Sequence, residues 1–294
     1  MTLNSRRAFL KGRVPKRSAW ERFCDRVHQE FAALLRPFIE PRSGLEHRLF
    51  MPTESSQVHA VFLLAQHFDV PLALGPMKSH DSSCHTESAL WIDPRHLNRC
   101  EPIDEQGRFY LEPGATMQQL VSVGLTQFSE LPADMRVIDW LADVRFHRGR
   151  PLAHSGLQMA SMVLADCSVA RLGPFGAQSG MSLNSRALQY LIPQLFQLLE
   201  TPIGRSCAAL PAWPGRYRLD ALVDPDTINL AYLVLGQGLE LGWVEWVVLD
   251  GHACLQPAWQ ARVSWTAEQT IWAQELDAAV QKKFDPKGRF LALL

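Results

Sequence analysis

Several side chains in the sequence could act as metal ligands or as a nucleophile, but their spacing completes no known site. The stretch His80-Asp81-Ser82-Ser83-Cys84-His85 holds zinc-binding residue types, yet no second ligand pair follows at a zinc-like spacing. Its serines favour a polar loop instead. Asp166 and Ser168 are close in the chain, but no G-x-S-x-G turn is present to expose a nucleophilic serine. We therefore expect neither a metal site nor a hydrolase.

The glycines Gly236, Gly238 and Gly242 are spaced like part of a dinucleotide-binding fingerprint. That fingerprint works only between a strand and a helix, because the start of the helix receives the pyrophosphate. Residues 243–250 read W-V-E-W-V-V-L-D, which predicts a strand after the glycines. We therefore interpret the glycine segment as a turn between two elements, and a Rossmann-type site is not expected here.

The composition is that of an ordinary globular protein. The chain has 294 residues, 47% of them hydrophobic, with 29 basic and 30 acidic side chains. Its apolar runs are too short to span a bilayer, and its near-neutral charge argues against nucleic-acid binding by the body of the protein as a whole. Six of the basic residues, and no acidic ones, fall within residues 1–18. This arm is either a segment that contacts anionic lipid, a partner or RNA, or a solvated terminus.

An incomplete export motif and the cysteine pattern both indicate the cytoplasm. Ser5–Lys11 resembles a twin-arginine export motif, but no apolar stretch follows it, as export requires. The six cysteines form no C-x-x-C pair and no regular framework. We therefore expect reduced thiols in a cytoplasmic protein.

Hydrophobic spacing predicts alternating helices and strands. We expect a helix over 18–35 ended by Pro37, a hairpin around 105–107, a helix over 185–200 and a strand over 243–250. A further strand is expected over Trp259–Trp265, and Thr266 with Gln269 forms a capping box that opens the last helix. Residues 131–141 are ambiguous. The pattern is that of an α+β fold.

Five short segments carry a resemblance to a known family. Residues 89–99 read like V-I-D-L-S-R-L-N-R, 104–116 like a hairpin followed by E-P-G-A-T, 163–173 like V-L-A-D-G-S-V-V-R-L-G, 229–242 end like G-S-E-G-T-L-G, and 284–290 read like F-D-P-K-G-I-F. In this order, they are similar to the FAD-binding domain of the vanillyl-alcohol oxidase and p-cresol methylhydroxylase type (PCMH-type). The resemblance implies two subdomains with FAD between them.

The same resemblance implies a division of the chain. Residues 1–40 would be the basic arm and an amphipathic helix, 41–125 the first FAD-binding subdomain, 126–255 the second, and 256–294 a C-terminal strand and helix. The substrate-binding cap of the family would be missing or vestigial, as in the compact FAD subunit of glycolate dehydrogenase. The implied cofactor-binding residues are Gly75, Pro76, Met77, Lys78, Ser79, His80, Pro113, Gly114, Ala115, Thr116, Gly236 and Gly242.

The implied pyrophosphate loop is degenerate. The family sequence G-G-G-H-S is matched by Gly75–His80, where Pro76 has no N–H and Met77 adds bulk. Lys78 could supply charge instead, and it stands where many relatives carry a flavin-linking His, so a bound FAD would be non-covalent. A second glycine loop of the family is replaced by Val137–Ala142.

The resemblance implies one of two functions. The first is a FAD-binding oxidoreductase, or the FAD-binding subunit of a multi-subunit dehydrogenase acting on 2-hydroxy acids. The second is a non-catalytic, flavin-free member of the fold that acts as an assembly partner, with residues 1–18 as a docking arm. The sequence identifies no catalytic base, and it leaves the substrate, electron acceptor and oligomeric state open.

Overall fold

The computed structural model describes residues 17–39, 44–76, 87–176, 182–183, 185–224, 228–253 and 263–291. Several predicted features lie outside these residues: most of the basic arm, the segment Met77–His80 with Lys78, the His80–His85 stretch, and residues 259–262 of the expected strand. The part of that strand which is described, residues 263–265, adopts no strand conformation.

The N-terminal helix is shorter than predicted. Helix α1 (Ala19–Phe31) begins with a capping box, in which the Glu21 N–H donates to Ser18 Oγ at 3.1 Å. A 3₁₀ turn follows, and strand β1 (Leu35–Ile39) then begins at Leu35, so the predicted extension of the helix to residue 35 is wrong. Pro37 is tolerated because β1 forms the edge of its sheet.

The first sheet has four strands in the order β1-β2-β4-β3. Strand β2 (Glu46–Phe50) pairs antiparallel with β1 and parallel with β4 (Leu90–Ile92), which also pairs parallel with β3 (Leu72–Leu74). Helix α2 (Ser55–Phe68) connects β2 to β3. All residues of β3 and β4 are buried, as expected of parallel strands covered on both faces. The carboxyl ends of β2, β4 and β3 therefore meet at one edge.

A hairpin and three short helices follow. Strands β5 (Cys100–Pro102) and β6 (Arg108–Leu111) pair antiparallel, which confirms the predicted hairpin. Thr116 caps helix α3 (Met117–Ser122). The ambiguous stretch contains helix α4 (Val137–Ala142), and α5 (Val144–His147) comes directly after it.

The second sheet has five antiparallel strands in the order β5-β6-β9-β7-β8. Besides the hairpin strands β5 and β6, the sheet contains β7 (Leu157–Val163), β8 (Val169–Leu172) and, at its centre, β9 (Trp243–Asp250). Helices α6 (Arg186–Leu199) and α7 (Pro202–Ala208) lie between β8 and β9 in the chain. The mixed first sheet and the antiparallel second sheet, together with the helices, confirm the α+β prediction.

The two sheets are joined by polar and apolar contacts. Glu245 on β9 accepts from Ser161 Oγ at 2.8 Å and lies 2.6 Å from His59 Nε2 on α2. The last helix, α8 (Ala267–Phe284), begins with the predicted capping box. The chain then returns to the first sheet, where Phe290 forms a bridge with Leu72. Among the described residues, no helix has the length and apolar character needed to cross a membrane.

Candidate functional site

A charged cluster lies where the parallel strands of the first sheet end. Asp93 follows β4 and is only 1% exposed. Its Oδ2 accepts from Arg95 Nη2 at 2.6 Å and from Arg95 Nε at 3.1 Å, and its Oδ1 accepts from Arg136 Nη1 at 2.9 Å. One buried carboxylate is therefore held between two guanidinium groups that come from different segments of the chain.

The first residue of the predicted pyrophosphate loop lies beside this cluster. The Gly75 N–H donates to the carbonyl of Ile92 at 2.9 Å, and Gly75 has a φ of 136°, which favours glycine. Two cations contact Asp93, and a second carboxylate, Asp139, accepts from the Arg136 N–H at 3.3 Å. The side chains of Arg95 and Arg136 are 44% and 22% exposed, so both reach solvent. The hydrogen bond to Asp93 raises the pKa of Arg95, which keeps it charged.

The segment Pro113–Thr116 lies at the same edge. The Gly114 N–H donates to Leu97 O at 2.8 Å, and a Cβ on Gly114 would lie 2.0 Å from Pro94 O. The Ala115 N–H is also bonded within the chain, to Glu112 O at 3.1 Å. Glycine is therefore needed at 114 because two backbone segments touch there. The role of this segment in binding a flavin stays a prediction.

The glycine turn that contains Gly236 and Gly242 lies at the other end of α4. The Gly236 N–H donates to Leu141 O at 2.6 Å, whereas Arg136 precedes the first residue of the helix. Gly242 allows the start of β9 to approach β7, since a Cβ there would lie 2.6 Å from Val163 O. The structure thus brings Gly75 and Gly114 together around Asp93, and it separates Gly236 and Gly242 from them.

A second polar cluster surrounds that glycine turn and was missed by sequence reasoning. Glu240 is 4% exposed and accepts from Arg216 Nη1 at 2.9 Å and from Tyr217 Oη at 2.7 Å. Asp277 on α8 accepts from the Arg216 N–H at 2.9 Å and from the Tyr217 N–H at 3.1 Å. These bonds tie α8 to the 216–217 segment. No local sequence motif predicts these hydrogen bonds, because the partners are far apart in the chain.

Burial changes the acidity of two groups in this region. It raises the pKa of Asp277 from 3.8 to about 6, although the two backbone N–H donors partly oppose the change. Burial and the neighbouring Glu240 carboxylate also raise the pKa of Tyr217. Tyr217 is 3% exposed, so its hydroxyl is closed to a substrate. We interpret this cluster as one that holds the fold together.

The described residues offer a dinucleotide positively charged side chains, but they do not offer it free backbone N–H donors. A diphosphate requires positive charge and N–H groups directed at its oxygens. Arg95 and Arg136 supply the charge, while the amides of Gly75 and Gly114 are already bonded and Pro76 has none. In the described part of the chain, no group of three or more His, Cys, Asp or Glu side chains is arranged to hold a metal ion.

Comparisons with known proteins add only a coarse likeness. No family model matches the chain, and no curated protein matches its sequence. The grass pollen allergen Phl p 4, described as a glucose dehydrogenase, aligns with a TM-score of 0.45 and 12% identity, over 78% of this chain and 43% of that one. A variant described as a glucose oxidase gives the same values.

Another structure of the allergen aligns with a TM-score of 0.41 over 72% of this chain and 36% of that one. This chain therefore spans less than half the length of the allergen. A likeness at this level assigns neither a family nor a ligand.

Proposed function

We propose that this chain is a FAD-binding oxidoreductase or the FAD-binding subunit of a multi-subunit dehydrogenase. The observation that carries the proposal is the Asp93–Arg95–Arg136 cluster beside Gly75. Ligands of open sheets bind outside the carboxyl ends of parallel strands, and the cluster lies at that edge. The five segments that resemble the PCMH-type domain support the same cofactor.

Side chains, rather than a glycine cradle, would hold the diphosphate. Asp93 fixes both guanidinium groups through charge-assisted hydrogen bonds, which limits the entropy lost when a ligand binds. Arg95 Nη1 and Arg136 Nη2 are not engaged by Asp93 and would donate to phosphate oxygens. The flavin itself supplies the hydride or electron chemistry once bound, and the protein supplies its position.

The substrate and the mode of flavin binding are proposed from the sequence resemblance. A 2-hydroxy acid is the proposed substrate class, the FAD is non-covalent, and partner chains complete the multi-subunit dehydrogenase. A cytoplasmic location is proposed from the cysteine pattern and from the absence of an apolar stretch after Ser5–Lys11.

Flavin binding to the purified full chain tests the proposal. We expect flavin absorption bands, or uptake of added FAD, at about one flavin per chain. Arg136→Gln should weaken FAD binding about 10- to 100-fold, because a hydrogen bond to a charged group contributes about 1.5–3 kcal/mol. Arg145→Gln is the matched control, since Arg145 is exposed and forms its ion pair with Asp143, away from the Asp93 cluster. A wild-type chain that is colourless and takes up no FAD would refute the proposal.

The flavin-free assembly partner is the second candidate. The observation that favours it is the absence of available backbone donors at Gly75, Pro76, Gly114 and Ala115, all of which are described. On this candidate, the full chain binds no FAD, and it copurifies with a defined partner that is lost when residues 1–18 are removed. A chain that holds one flavin and loses it with Arg136→Gln excludes this candidate.

A further inference from the structure

A separate pocket lies at the opposite end of β3 from Gly75. It has a volume of about 260 Å³ and is lined by the turn after β7, by α6, and by the end of α8 with the segment that follows it. The Leu72 N–H donates to Arg289 O at 2.8 Å, which joins the pocket wall to the first residue of β3. Gly75 follows the last residue of the same strand, so the two sites are distinct.

The pocket has an apolar interior and a positively charged rim. Leu164, Leu191 and Phe284 form apolar wall, and all three are buried. Lys283, Lys287 and Arg289 also line it. Such a combination of apolar body and a few polar groups is typical of small-molecule sites.

The cations of this pocket have no carboxylate partner within 4 Å among the residues that the structure describes. Arg289 is partly buried, donates through Nη1 to Ala165 O at 2.7 Å, and has a buried Nε with no hydrogen-bond partner.

Two carboxylates also line the pocket, against three cations, which leaves one net positive charge. Asp166 accepts from Ser168 Oγ at 2.6 Å, and Asp285 Oδ2 accepts from the Phe290 N–H at 2.8 Å, while the buried Oδ1 of Asp285 has no hydrogen-bond partner. A partly buried guanidinium without a counter-ion is costly, and a bound anion would offset that cost.

We propose that this pocket binds a small carboxylate whose apolar part is about the size of one aromatic ring. The ring would pack against Leu164, Leu191 and Phe284, and the carboxylate would face Arg289 and the two lysines. The volume lies just below the range of drug-sized pockets, which sets the size of the ligand. No residue of the Asp93 cluster lines this pocket, so binding of the carboxylate can be tested independently of flavin binding.

Titration of the full chain with three probes of one shape tests this site. Benzoate carries the negative charge, benzamide is neutral, and benzylamine is positive. We expect benzoate to bind at least about tenfold more tightly than benzamide, because a charge-assisted hydrogen bond is about twice as strong as a neutral one. Benzylamine should not bind. Equal affinity for benzoate and benzamide, or no measurable binding of benzoate, overturns the proposal.

Variants locate the binding. Ala187→Trp adds an indole to the pocket wall and should abolish benzoate binding. Arg289→Gln should remove the preference for benzoate over benzamide, and Arg289→Lys should restore part of it. Lys282→Gln is the control, because Lys282 is an exposed neighbour on α8 that does not line the pocket.

Arg289 also holds Ala165, so Arg289→Gln is interpreted only if its thermal unfolding matches that of the wild type. Lys287→Gln provides a second charge variant at an exposed position, and it should weaken benzoate binding without affecting folding. Unchanged benzoate affinity in Ala187→Trp and Lys287→Gln would refute the assignment of this pocket.

Discussion

The carboxyl group of Asp277 lets the attachment of the last helix be measured as a function of pH. Burial raises its pKa from 3.8 to about 6, so the folded chain holds this proton more tightly than the unfolded chain does. The stability that the group contributes is therefore fully present below about pH 4 and is lost as the pH rises through about 6. This rise of roughly two units in the pKa of Asp277 corresponds to a contribution of at most about 3 kcal/mol to the free energy of unfolding.

Asp277→Asn removes the charge and retains an acceptor. Oδ1 alone lies 3.1 Å from both the Arg216 and the Tyr217 nitrogens, so one amide oxygen can keep both backbone hydrogen bonds. We expect the variant and the wild type to be equally stable near pH 4. Near pH 7.5 the variant should be more stable, by up to about 3 kcal/mol.

Urea unfolding of both proteins at several pH values between 4 and 7.5 measures this difference. The comparison cancels the other titrating groups, because they are common to both chains. Glu275→Gln is the matched control, since Glu275 is an exposed carboxylate on the same helix. A difference between Asp277→Asn and the wild type that is constant with pH, or that falls as the pH rises, would refute the reasoning.

Two further predictions concern buried positions. Gly114→Ala should destabilise the fold by more than about 2 kcal/mol, because its Cβ would lie 2.0 Å from the carbonyl oxygen of Pro94. Denaturant unfolding measures this cost, and a cost below about 1 kcal/mol would contradict the packing argument. Burial lowers the pKa of His147 from 6.5 to about 3. Its contribution to stability is therefore present above pH 6.5 and is lost by about 1.4 kcal/mol per unit as the pH falls. His147→Gln should remove this slope, and an unchanged slope would show that His147 is not its source.

Local sequence signals were enough for most helices and strands. The capping box of Thr266 and Gln269, the hairpin around Gly107 and the strand over 243–250 are all present in the structure. Each depends on residues within a few positions of one another, so the chain needs no distant partner to specify them.

The errors arose where a distant partner decides the conformation. Residues 32–35 continue the apolar spacing of α1, but Leu35 pairs with Phe50 and begins a strand. Pro37 was interpreted as the end of a helix and instead lies within an edge strand, where its missing N–H is tolerated.

The charged clusters could not be predicted from the sequence, because their members meet only in the folded structure. Asp93 and Arg136 are each ordinary in the sequence, and they meet because the end of β4 and the start of α4 converge at one edge of the sheet. Arg289 faces a pocket only because the end of the chain returns to β3. The sequence by itself determined the elements and the residue types at their ends. The tertiary structure decided which charges are paired with one another, because only packing brings distant side chains within hydrogen-bonding distance.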